Sequence, residues 1–407
     1  MPSPSTVIFS ETAQTFLDSF KIARAQAHLN NLCSVPFAGR RIGTVGHDLA
    51  QAWLVEQMQA IDLKTQVSTF AADASVLGIS ALPEFVVIEN DGTINTLEYR
   101  RDFQEHPQSA RQNLAVQGIV TRSTSESVVG WVVLDTPPTA ETADALKARG
   151  AVGLLLPQHT GPEGYLPKRI VARQALPLPV ISVRADLLAQ LEGKHIRANM
   201  PVKSIPFKGG HVIGSITGSD ASLANTPLLV GAHFDGVGDD VSGFRLPGAA
   251  DNAAGVSVVL EVARVIKESG QSPRRPIIFA AFDGEEINAL GSQAYAASLK
   301  AQGISPIVIN LDGAARFHEA VWAELSDNAA EIIQALDQVG EWLEIPLIVG
   351  AVGSDNRRYA QMGFPTVGLA LGGLGGHTPA DTVENVDPDA MSLAGRLLLG
   401  TISQLAF

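Results

Sequence analysis

The second half of this sequence alternates short, apolar, β-branched runs with longer runs of helical periodicity. From about residue 206 the apolar runs include PLLVGAH, PIIFAAF, PIVINL and TVGLAL, separated by polar turns and helical patterns. Strands that alternate with helices in this way form a mostly parallel sheet with helices on both faces. The sequence therefore predicts an α/β fold for this part of the chain.

The pattern changes between residues 72 and 203. Residues from about 10 to 66 have helical spacing, whereas the middle segment has short strand-like runs such as FVVIEND and QGIVTRS. Within it, GWVVLDTPPTAETADALKARGAVGLLLPQ is typical of a strand, a helix and a second strand. We predict one domain from residues 1–71 and 204–407, and a separate β-rich domain inserted at residues 72–203.

The charge balance limits the choice of partners. The 407 residues include 29 Lys and Arg against 42 Asp and Glu, a formal net charge of −13. This composition disfavours nucleic acid, because phosphate contacts need a basic surface. Cys33 is the single cysteine, so neither an intrachain disulfide nor a metal site of the CxxC type can form.

The sequence predicts neither a leader nor a membrane anchor. The first residues, MPSPSTVIFSETAQTF, lack a charged region followed by a long apolar run, so we expect no signal peptide. No uninterrupted run of 18 apolar residues occurs, so we expect no membrane span. These features favour a cytoplasmic protein; a secreted or periplasmic protein trimmed of its leader would look the same.

Polar side chains follow nearly every core strand of the predicted sheet. Ligand sites in such sheets lie beyond the carboxyl ends of the strands, so we expect these side chains to meet at one edge. Each one alone has an ordinary explanation, such as a helix N-cap or a solvated turn. Their joint placement indicates a functional site. The candidates are His233, Asp235, Asp251, Glu285, Glu286, Asp312 and His377.

The residue types indicate a metal centre. Two imidazoles and three carboxylates without a thiolate suit a borderline divalent cation, most often zinc, with cobalt or manganese as alternatives. One ion needs only three of these ligands, so five ligands with an aspartate able to bridge indicate two ions. Three ligand carboxylates and a bridging hydroxide are balanced in charge by two divalent cations, which makes their burial tolerable.

Two further acidic residues are expected to serve the chemistry without binding metal. Asp235 is two residues from His233 and is expected to orient that imidazole by accepting its distal N–H. Glu285 precedes the ligand Glu286 and points the other way if the chain is extended there. A free carboxylate beside a metal-activated water is a general base for hydrolysis.

These motifs resemble the co-catalytic zinc exopeptidases, in the branch with bacterial leucine-type aminopeptidases, glutamate carboxypeptidase and the transferrin receptor. The similarity runs through GAHFD, PGAADNAAG, FDGEEINALGS, NLD and HTPADTVENVD, and GRRIGTVGHD near the N-terminus is also similar. It implies a three-layer α/β/α zinc-exopeptidase domain with two zinc ions per chain and Glu285 as the base. The implied ligands are Asp251, Glu286 and His377 for one ion, and His233, Asp251 and Asp312 for the other.

The inserted segment resembles a protease-associated (PA) domain. The similarity lies in GWVVLD, ALKARGAVGLLLP and LPLPVISV, which match the strand–helix–strand core of that domain. Its position is also informative, because related groups insert their extra domain after the Glu-Glu pair or after the first His-x-Asp. Here the insertion precedes both motifs.

Some positions depart from the pattern of this family. Ala250 replaces an acidic residue that is frequent before the bridging aspartate, and Asn356 replaces a frequent His. The stretch AVG at 351–353 lacks the Tyr that stabilises the tetrahedral intermediate in several aminopeptidases. The candidates for contacting substrate are therefore Arg316, Arg357, Arg358 and Tyr359.

We predict a metal-dependent exopeptidase, most specifically an aminopeptidase that removes N-terminal residues from peptides. A di-zinc-activated water would attack the scissile carbonyl, with Glu285 as general base. Three alternatives stay open: a carboxypeptidase or dipeptidase of the same clan, a glutaminyl-cyclase-like enzyme with one zinc, and a catalytically inactive peptidase-like binding module. The sequence leaves side-chain specificity, the native metal and the oligomeric state open.

Overall fold

The computed structural model describes residues 11–70, 75–125, 128–171 and 174–407. Among these residues no helix combines the length and apolar character that a membrane span needs. The helices are α1 (Glu11–Ser19), α2 (Ile22–Leu32), α3 (Val45–Ala60), α4 (Ala140–Ala148), α5 (Ala185–Leu188), α6 (Ala254–Glu268), α7 (Leu290–Ala301), α8 (Ala330–Leu343), α9 (Asn356–Gln361) and α10 (Pro388–Ala406), with short 3-10 segments at Val35–Arg40, Ala221–Leu223 and Val383–Asn385.

The strands form two large sheets and one two-stranded ribbon. They are numbered along the chain as β1 (Lys64–Phe70), β2 (Ser75–Ile79), β3 (Phe85–Ile88), β4 (Ile94–Thr96), β5 (Phe103–Glu105), β6 (Gln112–Arg122), β7 (Gly130–Val133), β8 (Ala151–Gln158), β9 (Val180–Arg184), β10 (His195–Met200), β11 (Val202–Pro206), β12 (Gly209–Ile216), β13 (Leu228–His233), β14 (Ile277–Phe282), β15 (Ile307–Leu311), β16 (Val321–Leu325), β17 (Leu347–Val349) and β18 (Thr366–Ala370).

The main sheet has the order β1-β12-β14-β13-β15-β18-β16-β17. Its centre, β14, β13, β15 and β18, is parallel, which confirms the predicted α/β fold with a mostly parallel sheet. Antiparallel pairing adds β12 and β1 on one side and β16 on the other. These three added strands were not predicted, because their short or polar sequences lack the continuous apolar character of a central strand.

Helices cover both faces of the main sheet. Alternate residues of β13 point to opposite faces, so Leu228 and Val230 join the large core beneath α2, α6, α8 and α10, while Leu229 joins a smaller core beneath α7 and α9. Each such fully buried side chain contributes roughly 1.5–3 kcal/mol through the hydrophobic effect. The two cores hold the strands in register and so fix the edge at which the loops emerge.

The middle of the chain forms the second sheet, in the order β4-β3-β10-β6-β7-β8-β9-β5. The predicted strand–helix–strand stretch corresponds to β7, α4 and β8. Trp131 of β7 is fully buried against Gly153 of β8, where a Cβ would lie 2.2 Å from the indole ring. The strands of this sheet lie within the predicted limits 72–203. Strand β11, which pairs with β2 in the two-stranded ribbon, extends past residue 203 to Pro206. The similarity of this inserted unit to PA domains stays a prediction.

Candidate metal centre and active site

The five predicted metal ligands meet at the carboxyl ends of the central parallel strands. His233 is the last residue of β13, and Asp312 directly follows β15. Glu286 lies in the loop after β14, and His377 lies in the glycine-rich loop after β18. Asp251 lies in the turn that leads into α6. The parallel topology therefore brings together residues that are far apart in the sequence.

The donor atoms of these residues form two groups of three that share Asp251. In the first group, Nε2 of His233 lies 3.2 Å from Oδ1 of Asp251 and 3.4 Å from Oδ1 of Asp312. In the second, Nε2 of His377 lies 3.0 Å from Oδ2 of Asp251 and 3.0 Å from Oε2 of Glu286. The two oxygens of a single carboxylate thus face two different sites.

The chemistry of this donor set fits two divalent cations. Nε2 of His233 and Oε1 of Glu286 are buried and have no hydrogen-bond partner, so both are available as ligands. Burial opposes protonation of His377, but the carboxylates of Glu286 and Asp251 outweigh it and raise the pKa of the imidazole well above its usual range. Imidazole and carboxylate donors without thiolates suit zinc.

The backbone around the shared ligand is held by a residue that the sequence analysis did not single out. Asp381 accepts hydrogen bonds from the main-chain N–H groups of Ala250, at 2.6 Å, and Asp251, at 3.2 Å. Burial raises the pKa of Asp381 to about 7. Asp251 itself has an extended backbone, and the peptide bond that follows it is cis. The N-cap residue of α6 makes no side-chain capping hydrogen bond, and the Asp251 carboxylate lies in the two triads instead.

Asn252 joins the loops of two ligands. Its Nδ2 donates to the carbonyl of Leu311 at 2.8 Å, and its Oδ1 accepts from the N–H of Gly313 at 3.1 Å. Asn252 thus holds the main chain on both sides of Asp312 while lying next to Asp251 in the chain. The side chain is fully buried, so these hydrogen bonds to the main chain replace the ones that the amide would make with water in the unfolded chain.

Asp235 holds the Glu-Glu pair, which corrects the predicted contact with His233. The Asp235 carboxylate accepts the main-chain N–H of Glu285 at 3.2 Å and that of Glu286 at 3.1 Å. Nδ1 of His233 lies 3.2 Å from the main-chain oxygen of Asp235 but 3.6 Å from its carboxylate. The carboxylate lies nearer to the two main-chain donors in the loop after β14 than to the imidazole, whose nearer partner is the main-chain oxygen.

Glu285 and Glu286 differ in their surroundings. Glu286 is buried with 9% of its surface exposed, whereas Glu285 is partly open to solvent. Burial raises the pKa of Glu285 well above its usual range, His233 opposes this rise, and Asp312 and Glu286 add to it. Cations in the two triads would favour the ionised form. Glu285 is thus the more exposed carboxylate of the pair, and it belongs to neither triad.

A buried ion pair supports the base of the loop after β14. Asp283 binds Nε2 of His47 at 2.9 Å and the N–H of Gly210 at 2.7 Å. Burial opposes the charge of His47, but Asp283 outweighs it and raises the pKa of the imidazole to about 9. His47 belongs to the N-terminal motif GRRIGTVGHD. The resemblance of that motif to the zinc exopeptidases is the sequence feature that could have indicated a role for His47.

The predicted substrate-binding residues are not gathered in one place. Tyr359 is fully buried against Phe282 in the core and does not reach the cleft, so its predicted role is wrong. Nε of Arg357 donates to Glu324 at 2.7 Å. Nε of Arg316 donates to the carbonyl of Asn385 at 3.3 Å and borders a cavity of about 400 Å³.

Asp355 is a further acidic residue that the sequence analysis did not predict as part of the site. It is fully buried, and neither carboxylate oxygen has a hydrogen-bond partner. Burial, together with the carboxylates of Asp235 and Asp312, raises its pKa to about 7.

A comparison with family profiles supports the chemistry of the site. Residues 211–402 match peptidase family M28. The matched segment contains the five predicted metal ligands together with Asp235 and Glu285.

Curated relatives are similar over parts of their length. The chain is 31% identical over 180 residues to the probable lipoprotein aminopeptidase LpqL of Mycobacterium tuberculosis, covering 43% of this chain and 33% of that protein. It is 29% identical over 217 residues to a probable leucine aminopeptidase of Trichophyton verrucosum, covering 49% of this chain and 58% of that one. The chain thus spans about a third to somewhat more than half of these relatives.

A solved structure has the same fold over nearly the whole chain. The zinc aminopeptidase BSAP of Bacillus subtilis superposes with a TM-score of 0.71 at 19% sequence identity, and the match covers 95% of each chain. The shared architecture therefore includes both the main sheet and the inserted unit.

Proposed function

Because residues 211–402 of this chain match peptidase family M28, we propose that the protein is a zinc-dependent aminopeptidase that removes N-terminal residues from peptides. The observation that carries the proposal is the pair of ligand triads that share Asp251. Two adjacent triads are expected of a co-catalytic site, in which two cations act on the attacking and departing groups of one bond. The relatives named aminopeptidases add support.

The proposed ligands divide between two ions. His233, Asp251 and Asp312 would hold one zinc, while Asp251, Glu286 and His377 would hold the other. When bound, zinc ions of this kind polarise a carbonyl oxygen and lower the pKa of water to about 7. Asp235, Asp381 and Asn252 hydrogen-bond to the main chain at or beside these ligands and would hold the donor atoms in place before the ions bind.

Glu285 is the proposed general base. It accepts a proton from the attacking water as the new C–O bond forms at the scissile carbonyl. It then donates this proton to the departing nitrogen as the C–N bond breaks. Its position beside Glu286 and its partial exposure support this role, since the base has to reach both the water and the substrate.

The charge of the site favours a substrate with a free amino group. Glu285, Glu286, Asp251 and Asp312 carry four negative charges when all are ionised, which two divalent cations would balance, and a bridging hydroxide would leave the site with one net negative charge. A protonated α-amine would be attracted to that charge. Arg357 is paired with Glu324, which makes it less available for the substrate carboxylate that a carboxypeptidase would bind.

Matched chromogenic substrates test this proposal. We expect aminoacyl p-nitroanilides to be hydrolysed, and their N-acetylated counterparts to react at least about 100-fold more slowly. Chelation should remove the activity, and zinc, cobalt or manganese should restore it. Equal cleavage of N-acetylated peptides with a free carboxyl end would instead assign the protein to the carboxypeptidases, and cyclisation of N-terminal glutamine to the single-zinc cyclases. Full activity after removal of all metal would exclude the proposed chemistry.

A further inference from the structure

One segment of the inserted unit, residues 165–170, contacts both loops beside the second triad. The main-chain N–H of Lys168 donates to the carbonyl of His377 at 2.9 Å. Nζ of the same residue donates to the carbonyl of Gly238 at 2.8 Å and to that of Asp239 at 3.3 Å. Only 5% of the surface of Lys168 is exposed. A single residue of the inserted unit thus bonds to a proposed metal ligand and to the loop that follows Asp235.

The loop that carries His377 has unusual backbone freedom. It reads LGGLGGH from residue 371, and Gly372 and Gly375 both have positive φ angles. His377 itself has a φ of 63°, a region that costs a non-glycine residue roughly 1–2 kcal/mol. Glycine loses more conformational freedom on ordering than any other residue. A loop of this composition therefore needs external contacts to hold an imidazole in one place.

The segment that contacts this loop is itself held firmly. The carbonyl of Pro167 accepts from Nε2 of Gln104 at 2.8 Å and from Nε2 of Gln158 at 2.9 Å. The N–H of Leu166 donates to the carbonyl of Arg100 at 2.8 Å. The bonds to Pro167 fix the peptide plane that carries the N–H of Lys168, and the bond from Leu166 fixes the plane between residues 165 and 166. The N–H of Lys168 therefore faces the catalytic unit, the domain of residues 1–71 and 204–407.

Contacts on both sides of Lys168 extend the junction between the two units. Tyr165 packs edge-on against Phe244, with ring centroids 5.6 Å apart. Ile170 belongs to an apolar cluster that includes Val237, Leu246 and Ile287, and Ile287 directly follows the proposed ligand Glu286. The segment therefore packs against three loops of the catalytic unit, each of which lies next to a residue of the site.

We propose that Lys168 is a positioning residue for the second zinc site, which is formed by Asp251, Glu286 and His377. In this proposal, the catalytic unit completes that site only when the inserted unit is docked against it. The ammonium group holds segment 165–170 against Gly238, and this contact keeps the Lys168 N–H on the carbonyl of His377. The inference rests on the proposed function, since it concerns the ion bound by Asp251, Glu286 and His377. Contacts that orient a metal ligand typically change metal affinity by about 10–100-fold.

The Lys168→Met variant tests this inference. Burial lowers the pKa of Lys168 to about 7, so Met removes a charge that is costly to bury, and we expect the variant to fold. Lys147→Met is the matched control, because Lys147 is an exposed lysine of the same unit that also donates to a main-chain carbonyl, that of Pro177 at 3.1 Å. Zinc affinities are measured by competition with a chromogenic chelator, alongside thermal unfolding.

Wild-type protein should bind two zinc ions, and Lys168→Met should bind one of them, assigned to the second triad by its absence from His377→Ala, at least about 10-fold less tightly while the other changes little. Peptidase activity of the variant should return at excess zinc, which a general loss of structure would not allow. Lys168→Gln, which keeps a donor, should fall between wild type and Lys168→Met, and it decides the question if the Met variant does not fold. Unchanged affinities in a folded variant, or equal weakening of both ions without rescue by zinc, would overturn the inference. A wild-type protein that binds no zinc would instead refute the proposed function.

Discussion

The carboxylate of Asp235 accepts the main-chain N–H of Glu286 at 3.1 Å, and its other oxygen accepts the N–H of Glu285 at 3.2 Å. One buried aspartate thereby fixes the peptide planes of both the proposed base and a proposed ligand. Because the peptide planes set the directions of the two side chains, the placement of both Glu285 and Glu286 depends on Asp235.

Asp235→Asn should lower activity by about 10–100-fold. The amide offers one acceptor and places its own N–H₂ against the second main-chain donor, which leaves a buried group unsatisfied at a cost of about 1–3 kcal/mol. Steady-state kinetics and urea unfolding measure the two effects. Asp135→Asn is the control, since 89% of that side chain is exposed. Wild-type kinetics for Asp235→Asn would show that the contact is dispensable.

Removal of one imidazole should remove one ion. In His377→Ala the second triad keeps only Asp251 and Glu286, while His233, Asp251 and Asp312 remain for the first ion. Zinc content after gel filtration in a weak chelator should fall from two ions per chain to one. His195→Ala, at an exposed position of β10, should retain both. Two tightly bound ions in His377→Ala would refute the ligand assignment.

Gly255→Ala should disturb the site through Asn252. A Cβ at Gly255 would lie 2.2 Å from Oδ1 of Asn252, the atom that accepts the N–H of Gly313. We expect the variant to lose about 1–3 kcal/mol of stability, as is usual for overpacking, together with most of its activity.

A double-mutant cycle isolates the cause of this effect. If Gly255 acts through Asn252, the variant Asn252→Ala/Gly255→Ala should be little worse than Asn252→Ala alone, because the clashing amide is absent. Strictly additive losses in unfolding free energy would show that the two positions act independently.

The His47–Asp283 pair predicts a pH dependence of stability. The pKa of His47 rises to about 9 in the folded protein from the ordinary value of 6.5 for histidine. A raised pKa means that the pair stabilises the fold fully below pH 6.5 and that this contribution, about 3 kcal/mol, is lost as the pH rises to about 9. The difference in unfolding free energy between wild type and His47→Gln should shrink over this range. A difference that is independent of pH would contradict the account.

The sequence predicted that the candidate ligands lie together, as they do, because the ends of apolar strands can be recognised in a sequence. His233 and Asp312 follow apolar runs that had to become central strands, and parallel strands bring their carboxyl ends to one edge. The contacts that hold the candidate ligands in place could not be predicted from the sequence. Asp381 meets Ala250 across 131 residues of sequence, and Asp235 turned from the expected imidazole to two main-chain donors. Tyr359 was misplaced because a polar residue in a short helix gave no sign that the helix faces the core. The contact of Lys168 with His377 depends on how two units dock, which no local pattern encodes.

The central claim is that Glu285 transfers protons while the five other residues bind metal. The most direct measurement is kcat of Glu285→Gln on an aminoacyl p-nitroanilide, with zinc content determined on the same sample. Glu341→Gln, at an exposed position of α8, is the matched control and should behave as wild type. We predict two zinc ions per chain in Glu285→Gln and a kcat reduced by about 10²–10⁴-fold, the usual contribution of a general base. A variant with both ions bound and turnover near that of the wild type would contradict the account.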